Sequence, residues 1–306
     1  MCMLRATLLK LSENKSFAHW VVSNERTRRM AHRFVPGETL DEAIAAAREC
    51  NNLGMFASLD YLGENVSTQE DAQRARDAYL EIFDRIAHER LHANVSCKLT
   101  QLGLDLSSEF CESLVDSIVQ RAADYDNFLR VDMEGSVYTQ RTVELVKRVR
   151  SQNPAIGTVI QSCLYRSEAD ITDLLAYGCR IRLCKGAYKE PSDVAFPKKK
   201  DVDANYVRLL QMLLASGFYH GIATHDPAMI AATIRFAAAK QISKDDFEFQ
   251  MLYGVRTDLQ RRLVKDGYRL RIYIPYGRDW FPYFMRRLAE RPANVAFFAR
   301  NLLRRS

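Results

Sequence analysis

The sequence predicts a (βα)8 TIM-type barrel, because strand-like runs and helical stretches alternate eight times along the chain. Each run is short and apolar or β-branched, whereas the segments between runs carry apolar residues about 3.6 positions apart. Strands joined by helices run parallel, and eight such units favour a closed barrel over an open doubly wound sheet, which shows the same alternation. The predicted runs are 55–63, 93–100, 128–134, 157–163, 179–185, 221–226, 247–254 and 271–277.

The segment before the first predicted strand has a different pattern and indicates helices with short breaks. In the last of them, Ala43, Ala47 and Cys50 fall at helical spacing. We therefore expect extra helices before the barrel. The predicted organisation is an N-terminal helical arm at 1–50 and a barrel domain at 51–306.

Capping signals predict where two of the barrel helices begin. Ser67-x-x-Glu70 has the pattern of a capping box and predicts the start of the helix after the first strand. Asp226 followed by Pro227 predicts an N-cap and a first helical residue after the sixth strand. The helix after Glu70 carries an apolar stripe made of Ala75, Tyr79, Ile82, Phe83 and Ile86.

Composition and missing motifs exclude several classes of protein. The net charge of +6 is mild, and the basic residues are scattered among 38 acidic ones, so a nucleic-acid partner is not expected. The seven cysteines include no Cys-x-x-Cys pair, which favours reduced thiols and no metal site. No Gly-x-Gly-x-x-Gly or Walker motif follows a strand. No apolar run spans a bilayer and no signal peptide is present, so we expect a cytoplasmic protein.

Polar residues lie near the carboxyl end of every predicted strand, where β/α barrels place their chemistry. One or two would be ordinary loop residues, but a complete set is costly to bury unless its members pair or bind a ligand. Arg182 could pair with Asp132, face a ligand, or do both. The set is Asp60, Lys98, Asp132, Glu134, Gln161, Arg182, Lys185, His225, Gln250 and Tyr273.

The helix after the eighth strand carries two different faces. Tyr283, Arg286, Arg287 and Glu290 share one face, because they recur at i, i+3, i+4 and i+7. Apolar residues occupy the opposite face. If the polar face looks onto the barrel mouth, the two guanidinium groups form a clamp for a small carboxylate.

Four segments carry a resemblance to a known family. RLCKGAYKE (182–190) and YFMRRLAE (283–290) are its specific motifs, and IATHD (222–226) and FQMLYG (249–254) support them. From about Leu59 to Arg300 the chain resembles the proline dehydrogenases.

The resemblance implies a distorted (βα)8 barrel that binds FAD without a covalent bond and oxidises L-proline to Δ1-pyrroline-5-carboxylate. A quinone then accepts the electrons. The implied catalytic residues are Asp132 and Arg182, with Arg182 near flavin N5. The implied substrate-binding residues are Lys98, Leu252, Tyr273, Tyr283, Arg286 and Arg287. The implied cofactor-binding residues are Met133, Gln161, Arg182, Lys185, Gly186, Ala187, Thr224 and His225.

Alternative functions stay open at this stage. Lys185 on a barrel strand could form a Schiff base, which would make the chain an aldolase acting on a small carboxylate. The chain could also bind a carboxylate without turning it over. Oxidation of hydroxyproline is a narrower alternative, although Tyr273 would crowd a ring hydroxyl. A quinone acceptor would bring the protein to the periphery of the inner face of the cell membrane, through amphipathic segments at 4–15 and 293–306.

Overall fold

The computed structural model describes residue 27, residues 31–188 and residues 190–290 of the 306-residue chain. In the last helix, the side chains at positions 286 and 288–290 lie outside the described part. The predicted arm therefore falls mostly outside the described residues, and the division at residue 50 stays a prediction.

Eight parallel strands form a closed barrel in which each strand pairs with its neighbours in chain order and β1 pairs with β8. The predicted fold is confirmed, and every strand lies in its predicted run, although β4, β6 and β8 begin one residue earlier. The strands are β1 Phe56–Tyr61, β2 Ala93–Cys97, β3 Leu129–Val131, β4 Ile156–Gln161, β5 Arg180–Cys184, β6 His220–Ala223, β7 Phe247–Leu252 and β8 Leu270–Tyr276.

Helices surround the barrel and connect successive strands. The described helices are α1 Leu40–Asn52, α2 Gln69–His88, α3 Ser108–Asp124, α4 Ser136–Gln152, α5 Ser167–Ala176, α6 Lys199–Ala215, α7 Pro227–Ala239, α8 Thr257–Lys265 and α9 Trp280–Glu290. A 3₁₀ turn, Thr100–Leu102, follows β2. Helix α1 precedes the barrel and packs against β1 and β8. Among the helices that the structure describes, none is long and apolar enough to cross a membrane.

The N-caps of two helices were predicted from the sequence, and one of them is confirmed. The predicted capping box at Ser67 and Glu70 is wrong by one residue: α2 is capped by Thr68, whose hydroxyl accepts from the Asp71 N–H. Serine and threonine are both favourable N-cap residues, so local sequence did not separate the two registers. Asp226 does cap α7, where its carboxylate accepts from the Ala228 N–H at 3.0 Å.

Residues alternate between the apolar helix layer and a polar barrel interior. Along β1, Ala57 and Leu59 join the apolar core, whereas Ser58 and Asp60 lie on the opposite side of the strand. Inside the barrel, the Ser58 hydroxyl lies 3.2 Å from the Ser96 hydroxyl of β2, and the two form a hydrogen bond. The barrel is therefore lined by polar side chains that must pair with one another or with a ligand.

A second apolar cluster covers the carboxyl end of the barrel. Phe34 and Val35, from the chain before α1, pack with Trp280 and Phe284 of α9. Tyr273 of β8 is partly buried against this cluster. The expectation that a final helix lies over the barrel mouth is thus confirmed for α9.

His220 makes the fold sensitive to acid. It is buried at the start of β6, where Nδ1 accepts from the Ile181 N–H at 3.0 Å and Nε2 lies 2.9 Å from the Ser216 hydroxyl. Burial first, and then Arg130, lower its pKa from 6.5 to about 3. Between these values the unfolded chain binds a proton that the folded chain does not, so stability falls as the pH is lowered.

We expect His220→Gln to reduce this loss of stability. In wild type, His220 lowers the free energy of unfolding by up to about 1.4 kcal/mol for each pH unit below its unfolded pKa. The measurement is urea unfolding between pH 7 and 5, with His88→Gln, an exposed histidine of α2, as the control. Equal slopes for wild type and His220→Gln would contradict the assignment.

Candidate active site

Arg182 lies at the centre of a hydrogen-bonded cluster inside the barrel. It projects from β5, is 6% exposed, and donates from Nη1 to Asp132 Oδ1 at 2.7 Å. Its Nη2 donates to the Ser96 hydroxyl at 3.0 Å, and its Nε donates to the side-chain oxygen of Gln250. Its three partners thus come from different strands or strand ends, and together they hold the guanidinium in one orientation.

Asp132 joins Arg182 to Tyr273. It follows β3 directly, and its second oxygen accepts from the Tyr273 hydroxyl at 2.8 Å. The Arg182 guanidinium carbon lies 5.3 Å from the centre of the Tyr273 ring. Burial first, and then the nearby carboxylates of Asp132 and Asp60, raise the pKa of Tyr273, so the phenol stays protonated as a donor. Arg182 and Asp132 therefore form an ion pair, which the sequence had left open.

Lys98 is a second buried cation at the mouth. It is 6% exposed, and its Nζ lies 3.6 Å from Asp60 and 3.9 Å from Glu64. Burial alone would lower its pKa, but the carboxylates of Asp60, Glu64 and Asp132 outweigh that effect and raise it. Lys98 therefore stays an ammonium group, which suits a carboxylate ligand.

Helix α9 adds a buried face to the same end of the barrel. Tyr283 is 5% exposed and Arg287 is 8% exposed, so these two side chains do not lie on the outer surface of the protein. The Arg287 guanidinium carbon lies 5.0 Å from the centre of the Tyr283 ring. Arg286 belongs to the predicted clamp, but its side chain lies outside the described part of the structure.

The residues expected to bind a cofactor lie together along one side of the mouth. Met133, Gln161, Lys185, Gly186, Ala187, Thr224 and His225 follow or end strands β3 to β6, which are neighbours in the barrel. The residues expected to bind substrate come from the other side. Lys98 follows β2, Leu252 ends β7, Tyr273 lies in β8, and Arg287 lies in α9. Asp132 and Arg182 stand between the two groups.

Several contacts along the cofactor side fix its shape. Lys185 donates to Asp203 at 2.5 Å and to Asp226 at 2.7 Å. The Thr224 hydroxyl accepts from the Asp226 N–H, and His225 Nε2 accepts from the Leu252 N–H at 3.0 Å. These side chains hold the loops after β5 and β6 against each other.

A flavin suits this wall of the site. Gln161 donates to the Glu134 carbonyl at 2.8 Å, and no donor among the described residues reaches its buried Oε1. Gly186 has a φ of +106°, and a Cβ there would lie 2.9 Å from that oxygen and 2.4 Å from Cys163 Sγ. A glycine is needed for the backbone to approach Gln161 so closely. The buried acceptor suits a ring N–H of such a cofactor.

Supporting residues below the cluster were not assigned a role from sequence. Gln250 was named as a strand-end residue only, and Ser96 and Glu248 were not named. Glu248 lies two residues before Gln250 on β7 and accepts from its side-chain amide at 2.6 Å. The sequence did contain a signal for Glu248 and Gln250. They are two polar residues at i and i+2 in the apolar run 247–252, and such residues share one face of a strand.

A closed β/α barrel with buried, paired charges at the carboxyl ends of its strands defines an enzyme of the barrel class. The family model "Proline dehydrogenase" matches residues 43–300, and the chain belongs to the proline dehydrogenase family. Among the described residues, no group of three or more histidine, cysteine or acidic side chains could hold a metal ion.

Relatives resemble the chain over nearly its whole length. It is 41% identical over 303 residues to proline dehydrogenase 1 of Bacillus subtilis, covering 99% of this chain and 100% of the relative. It is 39% identical to proline dehydrogenase of Deinococcus radiodurans, covering 92% and 93%. Among solved structures, proline utilization A from Bdellovibrio bacteriovorus, inactivated by N-propargylglycine, matches with a TM-score of 0.82 and 25% identity. That match covers 92% of this chain and 34% of the larger protein.

Proposed function

We propose that the chain oxidises L-proline to Δ1-pyrroline-5-carboxylate, with FAD as hydride acceptor and a quinone as final electron acceptor. The observation that carries the proposal is the buried cluster of Arg182, Asp132 and Tyr273 in a member of this family. The cluster stands between a wall suited to a flavin and a set of cations suited to a carboxylate.

The chain's own residues would bind and orient the substrate. Lys98 and Arg287, together with Arg286, would hold the carboxylate, because charged hydrogen bonds fix both its position and its direction. The proline ring would be enclosed by Tyr273, Leu252 and Tyr283, which would exclude water from it. The amine must be neutral when hydride leaves C5, since its lone pair assists that departure.

When bound, FAD supplies the acceptor for the hydride. The residues that would hold FAD are Met133, Gln161, Lys185, Gly186, Ala187, Thr224 and His225. Arg182 would present a buried cation beside it and would stabilise negative charge that develops during the reaction. Asp132 keeps Arg182 in place through the 2.7 Å contact.

The contacts of Lys185 disfavour the aldolase alternative. A lysine that forms a Schiff base attacks as a neutral amine. Lys185 instead donates hydrogen bonds to two carboxylates, Asp203 and Asp226, so its amine is held in a structural contact between two loops.

The proposed quinone acceptor would place the enzyme in the cytoplasm at the periphery of the membrane. Quinones are lipid-soluble, so electron transfer would take place at the membrane surface. The segments at 4–15 and 293–306, considered for this contact, lie outside the described residues.

An absorbance spectrum before and after anaerobic addition of L-proline tests the function. We expect a flavin spectrum that bleaches with L-proline, and to a smaller extent with hydroxyproline, because Tyr273 would crowd a ring hydroxyl. D-Proline serves as the control for nonspecific reduction. A flavin that stays oxidised would contradict the substrate. A protein that stays colourless after FAD is added would contradict the cofactor, and preferential bleaching by hydroxyproline would reverse the choice of substrate.

A further inference from the structure

Thr100 lies where three loops of the barrel mouth meet. It begins the 3₁₀ turn Thr100–Leu102, two residues after Lys98, and its side chain is fully buried. The sequence analysis did not include it among the residues that bind substrate or cofactor. Its hydrogen bonds reach the loop that follows β1 and the loop that follows β3, so it joins the segment that carries Lys98 to both.

The loop after β3 holds Thr100 through one carboxylate. Glu134 is 5% exposed, and its Oε1 accepts from the Thr100 hydroxyl at 2.6 Å. Its Oε2 accepts from the Thr100 N–H at 3.2 Å. The backbone carbonyl of Glu134 accepts from the Gln161 side chain at 2.8 Å. Glu134 therefore connects Thr100 to the side of the mouth that is proposed to hold the cofactor.

Thr100 also stabilises the charge of this buried carboxylate. Burial raises the pKa of the Glu134 carboxyl, and the two hydrogen bonds from Thr100, followed by the Lys98 cation, act in the opposite direction. Removing the Thr100 hydroxyl would leave a buried carboxylate oxygen without its donor, which is costly in an environment of low polarity. Such a change would therefore disturb a charge that Lys98 also interacts with.

The loop after β1 is held by the same residue. The Thr100 hydroxyl oxygen accepts from the Asn65 N–H at 3.2 Å, and the Thr100 carbonyl accepts from the Val66 N–H at 3.2 Å. This loop carries Glu64, whose Oε1 lies 3.9 Å from Lys98 Nζ. Thr100 thus fixes the distance between the segment that carries Lys98 and the loop that carries one of its carboxylate neighbours.

The ion pairs of Lys98 are too long to orient it. Its Nζ lies 3.6 Å from Asp60 and 3.9 Å from Glu64, and both distances exceed that of a hydrogen bond. These carboxylates compensate the charge of the ammonium group, but they do not hold its N–H groups in one direction. The position of the ammonium group therefore depends on the backbone that carries Lys98, which Thr100 anchors.

We infer that Thr100 is a positioning residue for substrate binding, which places the Lys98 ammonium group for the substrate carboxylate by joining its segment to the loops after β1 and β3. This role rests on the proposed function, in which Lys98 binds that carboxylate. Because Thr100 is fully buried, it acts through Lys98 and not by contact with the substrate.

Thr100→Val tests the role, because valine has nearly the shape of threonine but lacks the hydroxyl. Thr100→Ser restores the hydroxyl. Thr233→Val is the matched control, since Thr233 is also fully buried but its hydroxyl donates to the Met229 carbonyl within α7. Two measurements use the full chain loaded with FAD. They are steady-state kinetics with L-proline, and isothermal titration calorimetry with cyclopentanecarboxylate, which has a five-membered ring and a carboxylate but no amine to oxidise.

For Thr100→Val we expect the KM for L-proline and the dissociation constant of cyclopentanecarboxylate to rise roughly tenfold, the size expected when one buried hydrogen bond is lost. We expect kcat and flavin content to stay at wild-type values, because the change affects binding and not the reaction step. Thr100→Ser and Thr233→Val should match wild type. If Thr100→Val does not fold, Glu134→Gln removes the acceptor of the same contact and carries the same expectation.

The outcomes separate this role from the proposed function. Equal affinities of wild type and Thr100→Val would overturn the role of Thr100 alone, as would a fall in kcat at unchanged KM or a failure of Thr100→Ser to restore binding. A wild-type protein that neither bleaches with L-proline nor binds cyclopentanecarboxylate would instead contradict the proposed function, and the role of Thr100 with it.

Discussion

Arg182→Gln is expected to reduce kcat/KM for L-proline by roughly 10²–10³-fold, the loss typical when a charge-stabilising donor is removed from an active site. Glutamine is too short to keep the contacts with Asp132, Gln250 and Ser96 together. The proposed cation beside the flavin would be lost, and Asp132 would lose the guanidinium that it orients. The measurement is steady-state kinetics, together with the anaerobic rate of flavin bleaching.

Arg166→Gln provides a control for the change itself. Arg166 also pairs with a carboxylate, Asp170, but its side chain is 39% exposed, and it lies at the start of α5. We expect this variant to keep wild-type kinetics. A purely structural role for Arg182 would reduce stability and flavin content while leaving the bleaching rate per bound flavin unchanged, and that outcome would contradict the proposed role.

Glu248→Gln is expected to lower the free energy of unfolding by about 3 kcal/mol, because it removes one partner of a buried ion pair. Glu248 is 2% exposed and accepts from Arg271, Gln250 and Tyr219. Glutamine has nearly the same shape, so the loss reports the charge and not a cavity. Urea unfolding of both proteins measures it.

The pH dependence of this difference has a definite sign. Burial raises the pKa of Glu248, but the Arg271 cation and the hydrogen bonds from Gln250 and Tyr219 outweigh burial and lower it. A lowered pKa means that the stabilisation is present above the unfolded value of 4.5 and is lost as the pH falls towards the folded value. The difference between wild type and Glu248→Gln should therefore shrink in acid.

An exposed ion pair supplies the comparison for Glu248. The side chains of Arg269 and Asp245 are 41% and 73% exposed, and their pair lies near the same end of the barrel. We expect Asp245→Asn to cost less than about 1 kcal/mol, because water screens such a pair. If Asp245→Asn and Glu248→Gln lower the free energy of unfolding by the same amount, burial does not set the strength of the ion pair between Glu248 and Arg271.

Much of the fold could be predicted because strand and helix patterns are local. The run 271–277 contains β8 apart from its first residue, and the stripe from Ala75 to Ile86 is the buried face of α2. The start of α2 was misplaced by one residue, since Ser67 and Thr68 are both good caps. The competition between adjacent caps depends on how the helix packs, which local sequence does not specify.

The candidate site could be predicted only as a set of residues. The prediction included Asp132, Arg182, Lys98 and Tyr273 because each lies in or just after the carboxyl-terminal part of a predicted strand, and barrel closure brings those parts together. Their pairing, with Asp132 bridging Arg182 and Tyr273, depends on the register between strands. Register places residues far apart in sequence side by side, and no local pattern reports it.

By itself, the sequence determined the order of strands and helices, the carboxyl-end position of the polar residues, and the motifs that indicate the family. Only the tertiary structure decided which polar side chains pair across the barrel interior, because the register between strands brings together residues that are far apart in sequence. It also decided that Glu248, Arg271 and Arg130 line the barrel interior, and that Arg130 is left without a carboxylate partner among the described residues. Such partnerships form between distant strands, so they exist only once the barrel has closed.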